Sequence, residues 1–379
     1  MKIAIQAADL DAERIDGTRV YILNLLKYFG ALDPDSEFLI YHKKKFNPEL
    51  TPPIFPNYKI ITKNFPKLWT QTRLALDLWK ENPDVLWMPL HSIPIIRNKN
   101  LKTVVTIHDL AFKYFPETFP QKDIFKLNIL TRLAVTNSDK IITISESTKK
   151  DILKFYPQVK EDKIQVISHG FDEDVFAQER NIEKEEEVKK KYKISGEYIL
   201  STGGLQPRKN LETLVESYGL AKAERIVSNK SESLKLVLVG ENAWLSDSLF
   251  KKIENSPFKK DIILTGRVDF SDLGHLYRGA KIYVYPSLYD GFGITPLEAM
   301  AAKVPVLVAN NSSLSEVCGQ AALYFEAKNS EDLADQISKV LADDSLRQGL
   351  IDKGSKQIKK FSWEKCARET LKYLKAHNT

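Results

Sequence analysis

The chain has 379 residues, of which 43% are apolar and 28% charged; that length predicts two domains with a cleft between them, and the composition excludes a disordered or low-complexity chain. Two cysteines, Cys318 and Cys366, exclude a disulfide framework and a cysteine-based zinc site, and no uncharged apolar run of about 18 residues predicts a membrane span, so a cytoplasmic location is expected. The whole formal excess of +6 lies in residues 1–170, with 25 Lys+Arg against 19 Asp+Glu; it suits a solvated basic face, an anionic membrane surface or a pyrophosphate-linked acceptor, and no nucleic-acid-binding module accompanies it.

Strand-like runs at Lys2–Gln6, Phe38–Tyr41, Val85–Met88, Thr103–His108, Lys140–Ile144 and Ile164–Ile167 alternate with amphipathic helical stretches. That order calls for a parallel sheet covered on both faces. Ile15 to Val20, with Gly17 among them, opens a helix after the first strand. His108 ends the fourth run, where a neutral imidazole is placed to hydrogen bond to sugar or phosphate. Ser145 is expected to cap the next helix, and His169–Gly170 to act as a hinge where the chain leaves the first domain. The strings Asp9–Leu10–Asp11 and Asp172–Glu173–Asp174 are too short to indicate a metal, and none is assigned.

Residues 177–196 are dominated by charge, with Glu185–Glu187 followed by Lys189–Lys191, and read as an exposed linking helix stopped by Ser195 and Gly196. The strand pattern then restarts at Tyr198–Thr202, Leu236–Val239, Ile262–Thr265, Ile282–Tyr285, Val306–Val308 and Leu323–Phe325. Two doubly wound parallel-sheet domains are expected, residues 1–175 and 176–360. A last helix within 361–379, capped by Ser362, is expected to pack back toward the first domain.

In such sheets ligands bind beyond the C-terminal strand edges. After Thr202 the chain reads Gly203, Gly204, Leu205, Gln206, Pro207, Arg208, Lys209, Asn210 and enters a helix, so a cationic pair is placed to bind a diphosphate. After Tyr285 it reads Pro286 through Glu298, in which Gly291 and Gly293 permit tight backbone and Thr295–Pro296 predict a cap and first helical residue. Free amides there favour an anion. Asp290 at the loop mouth and Glu298 in the expected first turn flank those amides with acceptor groups, an arrangement suited to a nucleotide sugar.

The segment DGFGITPLEAMAAKVPVLV resembles the signature of family 4 retaining glycosyltransferases, in which two acids are separated by seven residues. SSLSEVCGQAAL and FSWEKCARETL extend the likeness, which covers residues 198–375. The resemblance implies the GT-B fold, an α/β architecture of two Rossmann-like domains facing across a cleft. It implies that Glu298 holds the ribose hydroxyls, that Asp290 contacts the transferred sugar, and that the loop of Gly291, Phe292 and Gly293 brings amides to the sugar and phosphates. The first acid is usually Glu in this family, so Asp290 is one methylene shorter.

Gly203 to Asn210 is similar to the family's phosphate loop, with Lys209 at its basic position; Gly204 stands where many members carry Arg, so Arg208 is expected to supply that charge. Arg267 falls in the base-binding loop, Gly17 in the glycine-rich loop near the donor phosphates, and His108 at the histidine facing the donor sugar. The likeness further implies a retaining, metal-independent hexosyl transfer without cofactor, from GDP-mannose or a UDP-hexose. The acceptor hydroxyl attacks from the side the nucleotide leaves, and a donor phosphate oxygen takes the proton.

The form Pro–Arg–Lys–Asn looks like that of bacterial mannosyltransferases building O-antigen or exopolysaccharide. A glycan or lipid-linked oligosaccharide acceptor is therefore expected, at the inner face of the cytoplasmic membrane. Two other readings stand beside this one. A glycoside hydrolase would use Asp290 and Glu298 as its carboxyl pair but has no use for the cationic loop. A catalytically silent nucleotide-sugar-binding partner fits the shortened acid. A dinucleotide oxidoreductase lacks its G-x-G-x-x-G fingerprint.

Overall fold

The computed structural model describes residues 1–65, 68–227 and 233–376. The chain splits into two compact units, the described residues of 1–110, 121–170 and 361–376 in the first and those of 111–120 and 171–360 in the second.

The first unit is built on seven parallel strands: β1 (Lys2–Gln6), β2 (Glu37–His42), β3 (Tyr58–Thr62), β4 (Val85–Met88), β5 (Lys102–Ile107), β6 (Lys140–Thr143) and β7 (Ile164–Val166). Their order is β3-β2-β1-β4-β5-β6-β7. Strands buried on both faces read as apolar runs, as residues 3–5 of β1 and Val85–Met88 of β4 do, while β5 buries Thr103 and Thr106 beside Val104 and Val105. β3 is the strand the sequence reading lacks. It lies at the sheet edge, where Tyr58–Thr62 buries only Ile61, so no apolar run announces it.

The second unit repeats the plan with β8 (Tyr198–Thr202), β9 (Lys235–Val239), β10 (Ile262–Gly266), β11 (Ile282–Tyr285), β12 (Val306–Ala309) and β13 (Ala322–Phe325), in the order β10-β9-β8-β11-β12-β13. All its pairs are parallel. In each sheet the direction of winding reverses beside its first strand, between β1 and β4 and between β8 and β11. Loops leave such a pair in opposite directions and open a crevice at the C-terminal edge.

Two expectations about helices change. The charged helix spans Ile182–Lys191, and the left-handed residue after it is Lys193, with φ 58°, so it stops before Ser195 and Gly196. Nor is it only an exposed link. Val188 and Glu185 are buried, Glu185 accepts from Arg180 at 2.9 Å, and Lys191 reaches Asp272 at 2.6 Å on the helix Phe270–Gly279.

The last helix, Trp363–Lys375, is capped by Ser362, whose Oγ accepts from Lys365 N at 3.2 Å. It packs on the helix Gly17–Leu32 of the same unit. Gly170 is required there for space, since a Cβ on it would lie 2.1 Å from the Trp363 amide nitrogen.

Candidate active site

The loops after β8 and β11 meet at the switch point of the second sheet. Pro207–Lys209 forms a short 3-10 turn closed by Asn210 in the left-handed region at φ 54°. Asn210 then locks the turn to its neighbours: its amide donates to Pro286 O at 3.0 Å and to Ala327 O, while its Oδ1 accepts from Thr213 at 2.8 Å. Leu288 N donates to Arg208 O at 2.9 Å. The two loops are thus one hydrogen-bonded body.

Asp290 sits at the centre of this body. Its Oδ2 accepts from Lys209 Nζ at 2.6 Å, Tyr285 OH at 2.6 Å, Ser287 Oγ at 3.2 Å and Arg208 at 3.4 Å. Burial opposes ionisation, but Lys209 and Arg208 outweigh it and hold the carboxyl well below the usual carboxylate range. Lys209 also donates to Tyr285 OH and lies 4.6 Å from that ring's centroid, and Arg208 donates to Tyr289 O. Two cations and one carboxylate leave a local excess of one positive charge, suited to a diphosphate.

Next to it begins the helix Ile294–Ala301. Its cap is Gly293 at φ 94°, not Thr295; Thr295 and Pro296 lie inside the first turn, and Glu298 is its fifth residue rather than part of that turn. The reason is backbone geometry, since only a glycine enters the helix comfortably from the left-handed region. Gly291, Phe292 and Gly293 are all buried. The amides entering this helix remain available to an anion, less the one that Pro296 lacks.

Glu298 accepts from Tyr277 OH at 2.9 Å, and that hydroxyl lies 2.6 Å from Thr202 Oγ1, which also contacts Tyr283 OH at 3.0 Å. Burial pushes the Glu298 carboxyl up to about 7, against the Tyr277 hydrogen bond and with help from Asp172. Tyr277 is itself raised well above its ordinary value, chiefly by burial, so it stays a donor.

Sequence reasoning missed the tyrosines and the serine loop. Tyr283 and Tyr285 share one face of β11, and buried tyrosines require hydroxyl partners, which was a usable signal. Ser312 accepts from Asp290 N at 3.0 Å, Ser313 donates to Asp290 O at 2.8 Å, and Asn311 donates to Ser287 O at 2.8 Å. These three residues brace the acid loop from the end of β12.

Along the same sheet edge Gly203, Gly240 and Gly266 follow one another at φ 134°, 152° and 67°. Gly203 N donates to Val239 O at 2.9 Å and Gly240 N to Gly266 O at 3.0 Å. Gly204 follows Gly203 half-buried, and Arg267 lies exposed at the end of the edge strand β10.

In the first unit His108 lies just past β5. Its Nε2 is 2.8 Å from Pro89 O, its backbone N–H donates to His91 Nε2 at 3.2 Å, and its carbonyl accepts from Thr148 at 3.3 Å. Ser145 caps the helix carrying Thr148, accepting from Thr148 N at 3.1 Å. A carbonyl only accepts, so His108 carries its proton on Nε2 and presents a bare Nδ1. Burial holds His108 below its ordinary value, so it is neutral at physiological pH.

His169 is buried against Tyr21, with ring centroids 4.7 Å apart, and lies 5.7 Å from His108. Gly17 is the exposed first residue of its helix, capped by Asp16. Arg19 is tied back to Asp16 and to Asp9 O. Asp11 accepts from the amides of Lys43 and Lys44 at 2.8 and 2.9 Å and pairs with His42, so its role is to fix the exit of β2.

The model for glycosyl transferases group 1 matches residues 180–357, and that for Glycosyltransferase Family 4 matches residues 15–175. O-antigen chain mannosyltransferase B of Escherichia coli is 30% identical over 72% of this chain and 70% of its own length. The chain belongs to the family 4, group 1 glycosyltransferases.

The serotype-specific mannosyltransferase WbdA of the same organism is 31% identical over 70% of the chain, which matches only 32% of that longer protein. Among solved structures, Anabaena HepE in complex with UDP and glucose superposes with a TM-score of 0.75 at 15% identity, covering both chains in full. This likeness shows the fold, the two Rossmann-like parallel-sheet domains of the GT-B class.

Proposed function

We propose that this glycosyltransferase moves a hexose, mannose first among candidates, from a nucleotide diphosphate sugar to a glycan or lipid-linked oligosaccharide. It works with retention, without a metal ion, in cell-surface polysaccharide synthesis at an anionic membrane face. The observation that carries the reading is the pairing of Lys209 and Arg208 around Asp290, beside a helix entrance and one turn from Glu298. The cations and amides stabilise charge developing on the leaving diphosphate, the role a divalent ion would otherwise fill. Glu298 takes the ribose hydroxyls, and Asp290 orients the sugar while fixing its cations. His108, in the first unit, presents at Nδ1 an acceptor suited to a sugar hydroxyl. The mannosyltransferase names of the relatives support the sugar, and the UDP and glucose bound to HepE support the donor class.

The test is a thermal-shift screen over GDP- and UDP-sugars, since a ligand bound to the native state alone raises the melting temperature. Incubation of the stabilising donor with acceptor glycans in EDTA, read by the NMR coupling of the new anomeric proton, follows. A product with the donor's anomeric configuration supports the reading. Release of free sugar from oligosaccharide without nucleotide supports a hydrolase, and an inverted product or a strict metal requirement overturns the mechanism.

A further inference from the structure

Glu298 ends a row of buried hydroxyls. Tyr277 OH donates to its Oε2 at 2.9 Å and lies 2.6 Å from Thr202 Oγ1, which lies 3.0 Å from Tyr283 OH. Each hydroxyl has one proton to give. Tyr277 gives its proton to the carboxylate, so the contact with Thr202 requires Thr202 to donate to the Tyr277 oxygen. With the threonine proton so placed, Tyr283 must donate to Thr202. The row therefore has one direction while Glu298 is ionised, from Tyr283 through Thr202 and Tyr277 to the carboxylate.

Packing fixes these side chains. Tyr277 and Tyr283 are wholly excluded from solvent and Thr202 is buried. The two tyrosine rings stack with centroids 5.2 Å apart, and Phe176 meets Tyr277 edge-on at 5.3 Å. Tyr198 OH donates to Leu276 O at 2.6 Å, which ties the helix carrying Tyr277 to β8. Thr202 is the last residue of β8, and Tyr283 lies on its neighbour β11. The row thus joins Glu298 to the strand end from which the loop of Arg208 and Lys209 departs.

Hydrogen bonds aligned head to tail strengthen one another, and a bond to an ionised acceptor is stronger than one to a neutral acceptor. A row ending on a carboxylate therefore favours the charged form of Glu298. Burial opposes it, as does Asp172 at the cap of the helix Glu173–Phe176, the one charged group that acts on Glu298 among the described residues. Tyr277 and Tyr283 stay protonated, since burial raises both.

We propose that Tyr277, Thr202 and Tyr283 are positioning residues for donor binding: their aligned hydroxyls favour the ionised form of Glu298, hold its Oε2 and leave Oε1 to the ribose hydroxyls. The assignment rests on the ribose role of Glu298 and names the groups that prepare it.

The test begins without ligand, on the full chain labelled with 13C at its glutamate carboxyls, the Glu298 resonance being identified by its loss in Glu298→Gln. Wild type inflects at about pH 7. Tyr277→Phe moves the inflection upward by about one pH unit or more, the strength of a hydrogen bond to an ionised group. Thr202→Val moves it upward by less and Tyr283→Phe by less again, whereas Thr202→Ser, which keeps the hydroxyl, stays with wild type. Calorimetric titration with GDP-mannose and with UDP-glucose then reads donor affinity. In Tyr277→Phe it weakens about fivefold at about pH 7 and about twofold at about pH 8, the ratios of ionised fraction for a change of one pH unit.

An inflection that stays in place in Tyr277→Phe, or a Thr202→Ser variant that shifts as far as Thr202→Val, overturns the proposal. So does a loss of affinity that is the same at every pH, which marks a packing effect. Should Tyr277→Phe not fold, the two Thr202 variants decide. Inflections that move in the expected order while wild-type donor affinity ignores pH overturn the ribose role of Glu298 instead, a failure told apart because the row has still acted on the carboxyl.

Discussion

Lys209 Nζ lies 2.6 Å from Asp290 Oδ2, so the expected diphosphate-binding cation is already held by the expected sugar-binding acid. A donor entering this site shares Lys209 with Asp290 rather than meeting a solvated ammonium, and the cation needs little reorganisation at the moment charge develops. Lys209→Ala removes a fixed positive donor, and turnover is expected to fall about 10²-fold or more. Initial rates of nucleotide diphosphate release check this, and an unchanged kcat would refute the role.

Asp290→Asn leaves Lys209 and Arg208 without their counter-charge in a mostly buried setting. Removing one partner of such a pair costs about 3–5 kcal/mol. A bound diphosphate restores negative charge beside the same cations. The melting temperature is therefore expected to drop more in the ligand-free variant than in the variant saturated with GDP or UDP, as differential scanning calorimetry would show. Equal drops would mean that the diphosphate binds elsewhere.

Glu298 titrates at about 7 instead of 4.5 because burial disfavours its charge. The folded chain holds this proton more tightly than the unfolded chain. The stability gained is therefore complete below about pH 4.5 and is lost as pH rises through about 7. Donor binding runs the other way, since a carboxylate accepts from two ribose hydroxyls better than a carboxylic acid does. The donor KM is expected to rise as pH falls from about 8 to about 6, and Glu298→Gln to give a higher, flat KM across that range. A wild-type profile without this inflection would count against the ribose role.

His91 and His108 are expected to be neutral in opposite tautomers. His91 Nε2 accepts the His108 amide proton, which places its own proton on Nδ1 toward Thr131 Oγ1 at 3.1 Å, while His108 keeps its proton on Nε2 toward Pro89 O. Long-range 15N–1H correlation spectra on histidine-labelled protein distinguish the two. Both patterns should persist from about pH 8 to about pH 6, since burial lowers the ionisation of each ring.

Gly240 and Gly266 both have positive φ, but their surroundings differ. A Cβ at Gly240 would lie 2.0 Å from the Gly203 carbonyl oxygen, whereas at Gly266 it would meet nothing within 4 Å. Gly266→Ala is expected to cost only the backbone penalty of about 1–2 kcal/mol. Gly240→Ala should cost clearly more, because β8 and β9 must part. Urea unfolding of the two variants gives the comparison.

The expected strands of the second sheet all formed, because short apolar runs closed by glycine, proline or a polar residue carry a strong signal for parallel strands. β3 escaped because an edge strand buries little, and the start of the helix Ile294–Ala301 was displaced by two residues because a left-handed glycine overrode the Thr–Pro preference. The residues of the loops after β8 and β11 were legible as types and spacings: cations after β8, acids and glycines after β11.

What the linear chain determined was that two strand-helix repeats exist and which side chains stand at their C-terminal ends. Only the tertiary structure decided that Lys209 and Asp290 share a proton-donating contact and that Tyr277 serves Glu298. The physical reason is that local propensity acts over a few residues, while a hydrogen bond between loops depends on which strands become neighbours. That choice is made by packing the whole sheet.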